Sequence, residues 1–503
     1  MKNRGQTTVL FSLIISILLL FTLTALEVGR IYCGKMKIRA VLHSAHSCIL
    51  ADYNRELFER YHLLFMDPTY GTGSNALLEE KYKDYIETSL NGKDERSKLY
   101  SFSVEEISLS DYETITDNHM QLLKKQIMEY EKGTGVVKKL TDVGRRAKEA
   151  SNQIEKAGEI TERNATELPE NEETVGESSV DDTETDDMDT STSETEKEEK
   201  VEDPRDILKN TLSLGLLAIL LPEGTEVSNE KKDFSGAPSK DYSRLIDKEK
   251  NSDFQDVSAL VNILGDSAKE DRNTFSSIGE KAAFCGYVTD HFSHQRSYMN
   301  SVMGCEIEYI LKGKDNDHDN LEAVLSDIIW MRMPINYVYL LQDVEKQSEA
   351  LTLATAICSA TGTMPMVEIV KYLLLGCWSY GESIYEVRML MNGEKLPFIK
   401  TKMDWNTDLK TLKPANQGAS ASVGMDYSDY LGVMLARKEN KDITYARMLD
   451  LIELNLRRDN KNLTVVNLCG SFSVQGKLSL EPLLINNRNE SVYDHYFQDD
   501  FAY

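Results

Sequence analysis

The sequence has few of the features that identify an enzyme or a disulfide-bonded scaffold. Its seven cysteines are scattered over 503 residues without a C-x-x-C pair, and an odd number cannot all pair within one chain. Cys33 and Cys48 lie in one predicted helix, about 22 Å apart, which is too far for a disulfide bond. No G-x-S-x-G, Walker or H-E-x-x-H motif occurs. We therefore expect neither a disulfide scaffold nor the enzyme classes that these motifs identify.

Acidic residues outnumber basic ones, 83 to 57. The formal net charge is −26, which argues against binding to nucleic acid or to an anionic lipid surface. Residues 162–203 contain 18 acidic and 3 basic residues, so −15 of this charge lies in one segment. Residues 161–203 also lack aromatic side chains and cannot bury enough apolar surface to offset chain entropy. We predict that 161–203 is a disordered acidic linker.

Residues 8–26 form a run without charge, proline or glycine. This is about the length that a helix needs to cross a ~30 Å hydrocarbon core. The alternative is a cleavable signal peptide, whose apolar region is about 7–15 residues long and ends in a small-x-small site. The run here is longer and no A-x-A site follows it. We therefore predict a single transmembrane helix at 8–26, in contact with the lipid bilayer.

The orientation of this helix is not determined by its flanking charges. Two basic residues precede the apolar run and four follow it within 20 residues, which taken alone favours a cytoplasmic C-terminus. Long domains, however, cross the membrane largely regardless of charge. The charge count therefore leaves both orientations open.

The residues after the apolar run are predicted to continue as a helix. Residues 27–66 contain no proline, and Leu42, Ala45 and Ile49 recur at the spacing of one helical face. Pro68 then ends the helix. The pattern predicts one long helix whose second half packs on a folded domain.

Further periodic segments predict a helix-rich chain with two small β regions. Helices are predicted at 76–91, 117–131, 136–160, 254–269, 276–312, 320–333, 344–361, 365–392 and 441–457, with another beginning at Asp203-Pro204. Strands are predicted at 100–109 and, as a hairpin or meander separated by Gly470 and Gly476, at 465–466, 472–474 and 478–480. This order indicates an α+β fold, mainly α-helical, rather than a βαβ repeat.

These predictions divide the chain into five segments. They are a short N-terminal flank (1–7), the transmembrane helix (8–26), a juxtamembrane helix with a first α+β part (27–160), the disordered acidic linker (161–203) and a helix-rich domain that ends in a short β region (204–503).

Two histidine pairs have the spacing of metal ligands on a helix. His291 and His294 lie three residues apart, with Asp290 and Cys285 nearby, and His43 and His46 share that spacing. A zinc site needs three or four ligands, and the i, i+3 spacing supplies two. A partly exposed helix face is therefore the favoured interpretation.

Two further motifs resemble ligand-binding loops. Residues 315–320 begin like a calcium loop, but the glycine and glutamate that an EF-hand needs are replaced by Asn320 and Ser326, so a turn and helix N-cap are favoured. Gly71-x-Gly73-x-x-Ala76 resembles a dinucleotide loop, but such a loop must directly follow a strand. Here a helix precedes it. We predict no catalytic, cofactor-binding or metal-binding residue.

The N-terminal stretch RGQTTVLFSLIISILLLFTLTALEVGRIY resembles the N-terminus of the TadE/TadG group of pseudopilin-like proteins from tight-adherence pilus systems. The residues that match the pattern of this group are Gly5, Gln6, Val9, Phe11, Glu27, Gly29 and Arg30. The resemblance implies a possible prepilin-peptidase processing site between Gly5 and Gln6. The glutamate that precedes the phenylalanine in pseudopilins is Leu10 here, so we expect no cleavage or inefficient cleavage.

The rest of the chain resembles an uncharacterised, largely clostridial family of single-pass membrane proteins. The matching stretches are 51–67, 305–321, 376–401 and 425–435, and this resemblance implies no activity. We predict a non-enzymatic envelope protein with an extracytoplasmic domain, serving as a pseudopilin-like accessory whose partners are membrane components of a pilus or secretion system. The alternatives are an extracytoplasmic binding or adhesion module and an enzyme of an unrecognised class.

Overall fold

A computed structural model describes most of the chain. The described residues are 4–92, 100–134, 203–240, 272–297, 299–397, 400–414, 424–438, 441–458, 460–461, 463–481 and 492–503. The predicted helices at 136–160 and 254–269 lie outside them. So does the predicted disorder of the acidic linker, apart from its last residue.

The described chain is mainly helical and contains one sheet. The α-helices are α1 (Arg4–Leu50), α2 (Arg55–Tyr61), α3 (Ala76–Leu90), α4 (Gln121–Thr134), α5 (Pro204–Leu212), α6 (Leu216–Leu220), α7 (Arg272–His291), α8 (Glu306–Lys312), α9 (Asp317–Gln342), α10 (Val344–Thr361), α11 (Val367–Met391), α12 (Tyr427–Arg437) and α13 (Lys441–Leu456). Short 3-10 helices lie at Asn118–Met120, Met364–Met366, Lys402–Asp404 and Val465–Asn467. The strands are β1 (Phe102–Thr114), β2 (Cys469–Leu480) and β3 (Tyr493–Ala502), antiparallel in the order β1-β2-β3. The predicted α+β class is confirmed.

The chain divides into two compact units that differ from the predicted segments. Unit 1 comprises Met1–Thr134, Phe234–Lys248 and Asn440–Tyr503. Unit 2 comprises Gly135–Asp233 and Glu249–Glu439. The C-terminal β region belongs to unit 1 because β2 pairs with β1 along one edge and with β3 along the other.

Unit 1 is built on the second half of α1. The apolar side chains of α1 that pack inward are spaced by three or four residues, as the sequence pattern predicts. They meet α3 and the sheet in one core, whose buried members include Ile38, Leu42, Ala45, Ile49, Leu78, Tyr82, Ile86, Leu90, Phe102, Leu109, Phe472, Val474, Leu478 and Leu480. At Gly34 the absence of a side chain lets α1 approach Leu480 closely, since a Cβ there would lie 3.0 Å from the Leu480 side chain.

The long helix predicted to reach residue 66 is shorter than expected. α1 ends at Leu50, and α2 begins after Asn54, whose side chain accepts a hydrogen bond from the Leu57 N–H at 3.0 Å. This N-cap satisfies a backbone donor that a continuous helix would have bonded internally. The helical spacing of apolar residues continues in the sequence beyond this break, because α2 also buries Leu57 and Tyr61.

The predicted hairpin or meander at 465–480 is wrong. Residues 465–467 form a 3-10 helix, and the remaining segment is one strand, β2, with both glycines inside it. A Cβ on Gly470 would lie 2.7 Å from the Phe65 ring, and one on Gly476 would lie 2.7 Å from the Phe497 ring. These glycines allow close packing within a strand rather than a change of direction.

Unit 2 is helical in the part that the structure describes. The predicted helices at 344–361 and 365–392 are confirmed by α10 and α11. The predicted helix at 276–312 is wrong, because residues 292–305 separate α7 from α8. α9 continues through Pro334, where a break was predicted, since its packing against α11 offsets the ~3 kcal/mol that an internal proline costs. α12 was not predicted.

Candidate functional site

The first half of α1 is an apolar helix that no other part of the described chain packs against. Its most apolar 18-residue stretch has a mean hydropathy of 2.7, and none of that stretch is buried by the rest of the chain. Phe21 and Val9, near its two ends, are 71% and 67% exposed. This helix is long and apolar enough to cross a membrane.

The first charged residues after the apolar run pair with each other and with the sheet. Arg30 donates to both carboxylate oxygens of Glu27, at 2.6 and 3.0 Å, and to the backbone oxygen of Glu481 at 2.7 Å. Arg30 is buried although it directly follows the apolar run. This contact attaches α1 to the end of β2.

Two lysines in the next turns lie against aromatic rings. The Lys35 ammonium lies 4.3 Å from the centre of the Tyr493 ring. Lys37 donates to the Leu90 backbone oxygen at 2.5 Å and lies 5.3 Å from the centre of the Phe102 ring. Burial lowers the pKa of Lys37. Basic and aromatic side chains in this position are typical of a membrane–water interface.

The possible processing site lies inside the helix. Gly5 and Gln6 both follow Arg4, the first residue of α1. The first turn of α1 would therefore have to unwind before a peptidase reached the bond between them.

The histidine pairs are explained by packing. His291 ends α7, and its Nδ1 lies 3.0 Å from the Tyr287 backbone oxygen. His294 contacts the Tyr427 ring edge-on, and burial lowers the pKa of His294 to about 4. His46 packs against the sheet through the Phe501 ring at 4.1 Å, and burial lowers its pKa.

The residues that resemble a calcium loop form the start of α9. Asn316 is the N-cap and accepts a hydrogen bond from the Asp319 N–H at 2.7 Å, so the predicted turn and N-cap are confirmed. His318, Asp319 and Glu322 are the only described group of three possible metal ligands whose ligand atoms lie within 4.8 Å of one another. Their closeness follows from helical spacing at a solvent-accessible helix end.

The glycines that resemble a dinucleotide loop form the turn before α3. Gly71 and Gly73 both have a φ of +78°. The preceding helix or strand is α2, and between it and the glycines Met66 forms an isolated bridge with Cys469. The motif does not follow a strand of the sheet.

A buried ionic cluster in unit 2 was not predicted. Arg332 on α9 donates to both carboxylate oxygens of Glu386 on α11, at 2.8 and 2.6 Å. Lys400 donates to Glu386 and to Glu382, in both cases at 2.6 Å. All four side chains are buried. The two cations and two carboxylates balance in charge.

Neutral groups complete the hydrogen bonds of this cluster. Asn336 donates to Glu386 at 2.8 Å, and the Thr407 N–H and hydroxyl donate to Glu382 at 2.8 and 2.7 Å. Burial raises the pKa of Glu386, but Arg332 and Lys400 outweigh this effect and hold it below its usual value. Glu386 is therefore ionised, and all four oxygens of the two carboxylates accept hydrogen bonds. The cluster joins α9, α11 and the segment after α11.

A second buried carboxylate lacks a cation. Glu308 on α8 accepts a hydrogen bond from the Tyr427 hydroxyl at 2.7 Å, and its residue is fully buried. Nothing in the spacing of CEIEYILK distinguishes Glu308 from Glu306, whose carboxylate accepts bonds from the Ser293 N–H and hydroxyl at 2.8 and 2.9 Å. Neither environment could be predicted from local sequence patterns.

The fold and the N-terminal helix together show which class of protein this is. It is a mainly helical α+β protein with one described helix that is long and apolar enough to span a membrane. The chain belongs to the family described as "Family of unknown function (DUF5702)", which matches residues 194–480, more than half of the chain. No curated protein and no solved structure matches the chain. The predicted membership of an uncharacterised family is confirmed, and the matched region ends with the last residue of β2.

Proposed function

We propose that the protein is a non-enzymatic envelope protein, anchored in the membrane by residues 8–26, with its folded units on the extracytoplasmic side. In this proposal it serves a tight-adherence-type pilus or secretion system as a pseudopilin-like accessory. Its partners are the lipid bilayer and membrane components of that system.

The contrast between the two halves of α1 carries the proposal of a membrane anchor. The first half exposes apolar side chains on all sides, whereas the second half buries one face against α3 and the sheet. Lipid can cover a helix that is apolar all round, because the helix bonds its own backbone groups. The aromatic contacts of Lys35 and Lys37 support a membrane surface close to the end of the apolar run.

The pilus-accessory role is supported by the N-terminal resemblance. Glu27 and Arg30, which match the pattern, form the pair that attaches α1 to β2. Leu10 replaces the glutamate expected in a repeating pilus subunit. A buried carboxylate is costly unless it is paired, so its absence removes a device for setting the register between subunits. This favours an accessory over a fibre subunit.

The non-enzymatic role is supported by the pairing in unit 2. Each charged group of the Arg332, Lys400, Glu382 and Glu386 cluster bonds to a partner inside the cluster. None of them is free to transfer a proton or to attack a substrate.

Membrane fractionation tests the anchor. A charged residue at the centre of a membrane helix costs about 2.5–3.5 kcal/mol on insertion scales. We expect Leu18→Arg combined with Leu19→Arg to move the protein from the membrane pellet to the soluble fraction. The wild-type protein should stay in the pellet after alkaline carbonate extraction.

The matched control adds the same two charges elsewhere. Val344 and Met403 are 79% and 92% exposed in unit 2, so their replacement by Arg should leave the protein in the pellet. Extraction of the wild-type protein by carbonate would contradict the proposal. Equal release of both double variants would show that added charge alone causes it.

A further inference from the structure

Glu308 is a completely buried acid that lacks a countercharge. Its Oε1 accepts hydrogen bonds from the Tyr427 hydroxyl at 2.7 Å and from the Gln295 N–H at 3.1 Å. Its Oε2 has no hydrogen-bond partner within the part of the chain that the structure describes. Glu386 is equally buried but bonds to two cations, whereas no described basic side chain forms an ion pair with Glu308.

The titratable groups around Glu308 do not supply a positive charge. Asp317 of α9 is an acid whose carboxylate accepts from two backbone N–H groups at 3.1 Å. The Cys305 thiol contacts the Gln295 side chain, and burial raises its pKa. His294 stays neutral because burial lowers its pKa to about 4. In the same loop, the Arg296 guanidinium bonds to the Met391 backbone oxygen at 2.9 Å.

The carboxyl of Glu308 joins two helices. Glu308 lies on α8, and its partner Tyr427 is the first residue of α12. An ionised oxygen without a partner must be hydrated, whereas a neutral acid tolerates burial far better. Separation of α12 from α8 near Tyr427, whose hydroxyl covers Oε1, would let water reach the carboxyl.

We propose that Glu308 is a proton-dependent latch, whose protonated carboxyl holds the start of α12 against α8 and whose ionisation releases it. The start of α12 is also held by backbone hydrogen bonds between Met425 and Leu396, at 2.8 and 2.9 Å, and by the Lys395–Asp426 ion pair at 3.7 Å. Other attachments lie further along the helix. The Cys285 thiol donates to the Gly432 backbone oxygen at 3.5 Å, and the Tyr430 hydroxyl lies 3.4 Å from Arg332. The release therefore concerns the contact of Tyr427 with α8 and not the whole of α12.

The direction of the pH effect follows from proton linkage. Burial raises the pKa of Glu308 to about 7, although hydrogen bonds from Gln295, Tyr427 and its own N–H oppose the increase. The docked state therefore holds the proton more tightly than the released state, whose acid has an ordinary pKa near 4.5. Docking is strongest below about pH 4.5, weakens as the pH rises to about 7, and then stays constant.

Hydrogen exchange of the full chain in detergent tests the latch. After correction for intrinsic exchange rates, the opening constant of peptides from α12 should rise on the order of 100-fold between pH 5 and pH 8. Peptides from α3, which lies in unit 1, should show no such rise. An unchanged opening constant for α12 in the wild-type protein would overturn the proposal.

Two variants on α8 separate the latch from general effects of pH. Glu308→Gln keeps a neutral acceptor for Tyr427 and should abolish the pH dependence of α12. Glu306→Gln removes the neighbouring buried acid and should retain it. Retention of the full pH dependence in Glu308→Gln would overturn the proposal. If either variant does not fold, infrared spectroscopy of the wild-type protein decides, because the latch requires a protonated carboxyl band that is lost between pH 5 and pH 8.

Discussion

At the scale of single residues, the buried charges of unit 2 show how context decides what a side chain contributes. Glu386 is ionised because Arg332 and Lys400 both bond to it, and Glu308 holds its proton more readily because no cation does. Two glutamates that are equally buried therefore favour opposite protonation states. A buried ion pair costs desolvation, so its main effect is to disfavour any arrangement in which one partner is left alone.

Arg332→Met should therefore destabilise unit 2 by about 3–5 kcal/mol, because it leaves Glu386 with a weakened set of partners. Combining it with Glu386→Leu should restore part of this loss, since Lys400 and Glu382 then remain as a balanced pair. Chemical denaturation of the single and double variants measures the coupling.

The exposed pair of Lys402 and Glu345 is the control for this experiment. Lys402→Met should leave the free energy of unfolding nearly unchanged, because solvent screens the pair. If the double variant at 332 and 386 loses as much stability as the sum of its single variants, the two side chains do not act as a pair.

The cluster could be predicted only in part. The spacing of Glu382 and Glu386 places both carboxylates on one face of α11, and this is visible in the sequence. Their partners are not, because Arg332 comes from another helix and Lys400 from the segment that follows α11. No local pattern brings such distant residues together.

At the scale of elements, prediction succeeded where a helix is bounded by its own local signals. α10 begins after Asp343, which accepts hydrogen bonds from the first backbone N–H groups, and ends at Gly362 with a φ of +69°. The prediction for β2 was wrong because Gly470 and Gly476 were interpreted as turns. Only the approach of Phe65 and Phe497 explains why glycine is needed there.

The start of α1 distinguishes the proposed pilus accessory from a fibre subunit. The bond between Gly5 and Gln6 lies in the helix, and Leu10 lacks the expected carboxylate, so we expect the native protein to retain its N-terminus or to be cut inefficiently. Mass spectrometry of the N-terminal peptide checks this. A dominant peptide beginning at Gln6, with the protein present in sheared fibres, would instead indicate a true pilin.

At the scale of the whole molecule, unit 2 interrupts unit 1 in sequence. The sequence does not show this interruption, because hydrophobic patterns identify strands but not their partners. The residues that pair between β1 and β2 are far apart in the sequence. Phe102 lies opposite Leu480, and Leu109 lies opposite Val474.

The proposed topology places the folded units outside the cytoplasm and the first residues inside it. Met403→Cys introduces a thiol at a 92% exposed position, and we expect a membrane-impermeant maleimide to label it in intact cells. Cys33→Ser and Cys48→Ser remove the exposed native thiols from the background. Lys2→Cys should be labelled only after lysis. The reverse pattern would invert the topology.

The pairing of β2 with β1 also determines the order in which the two units can fold. About 350 residues separate the end of β1 from the start of β2, and at roughly 5–20 residues per second the ribosome needs about 20–70 s to make them. During that interval the central strand of the sheet does not yet exist, and β1 presents unpaired backbone groups. α1 is therefore synthesised long before β2, which forms part of the surface that covers its second half. Unit 1 is completed only after unit 2 has left the ribosome, so it folds last although it begins first.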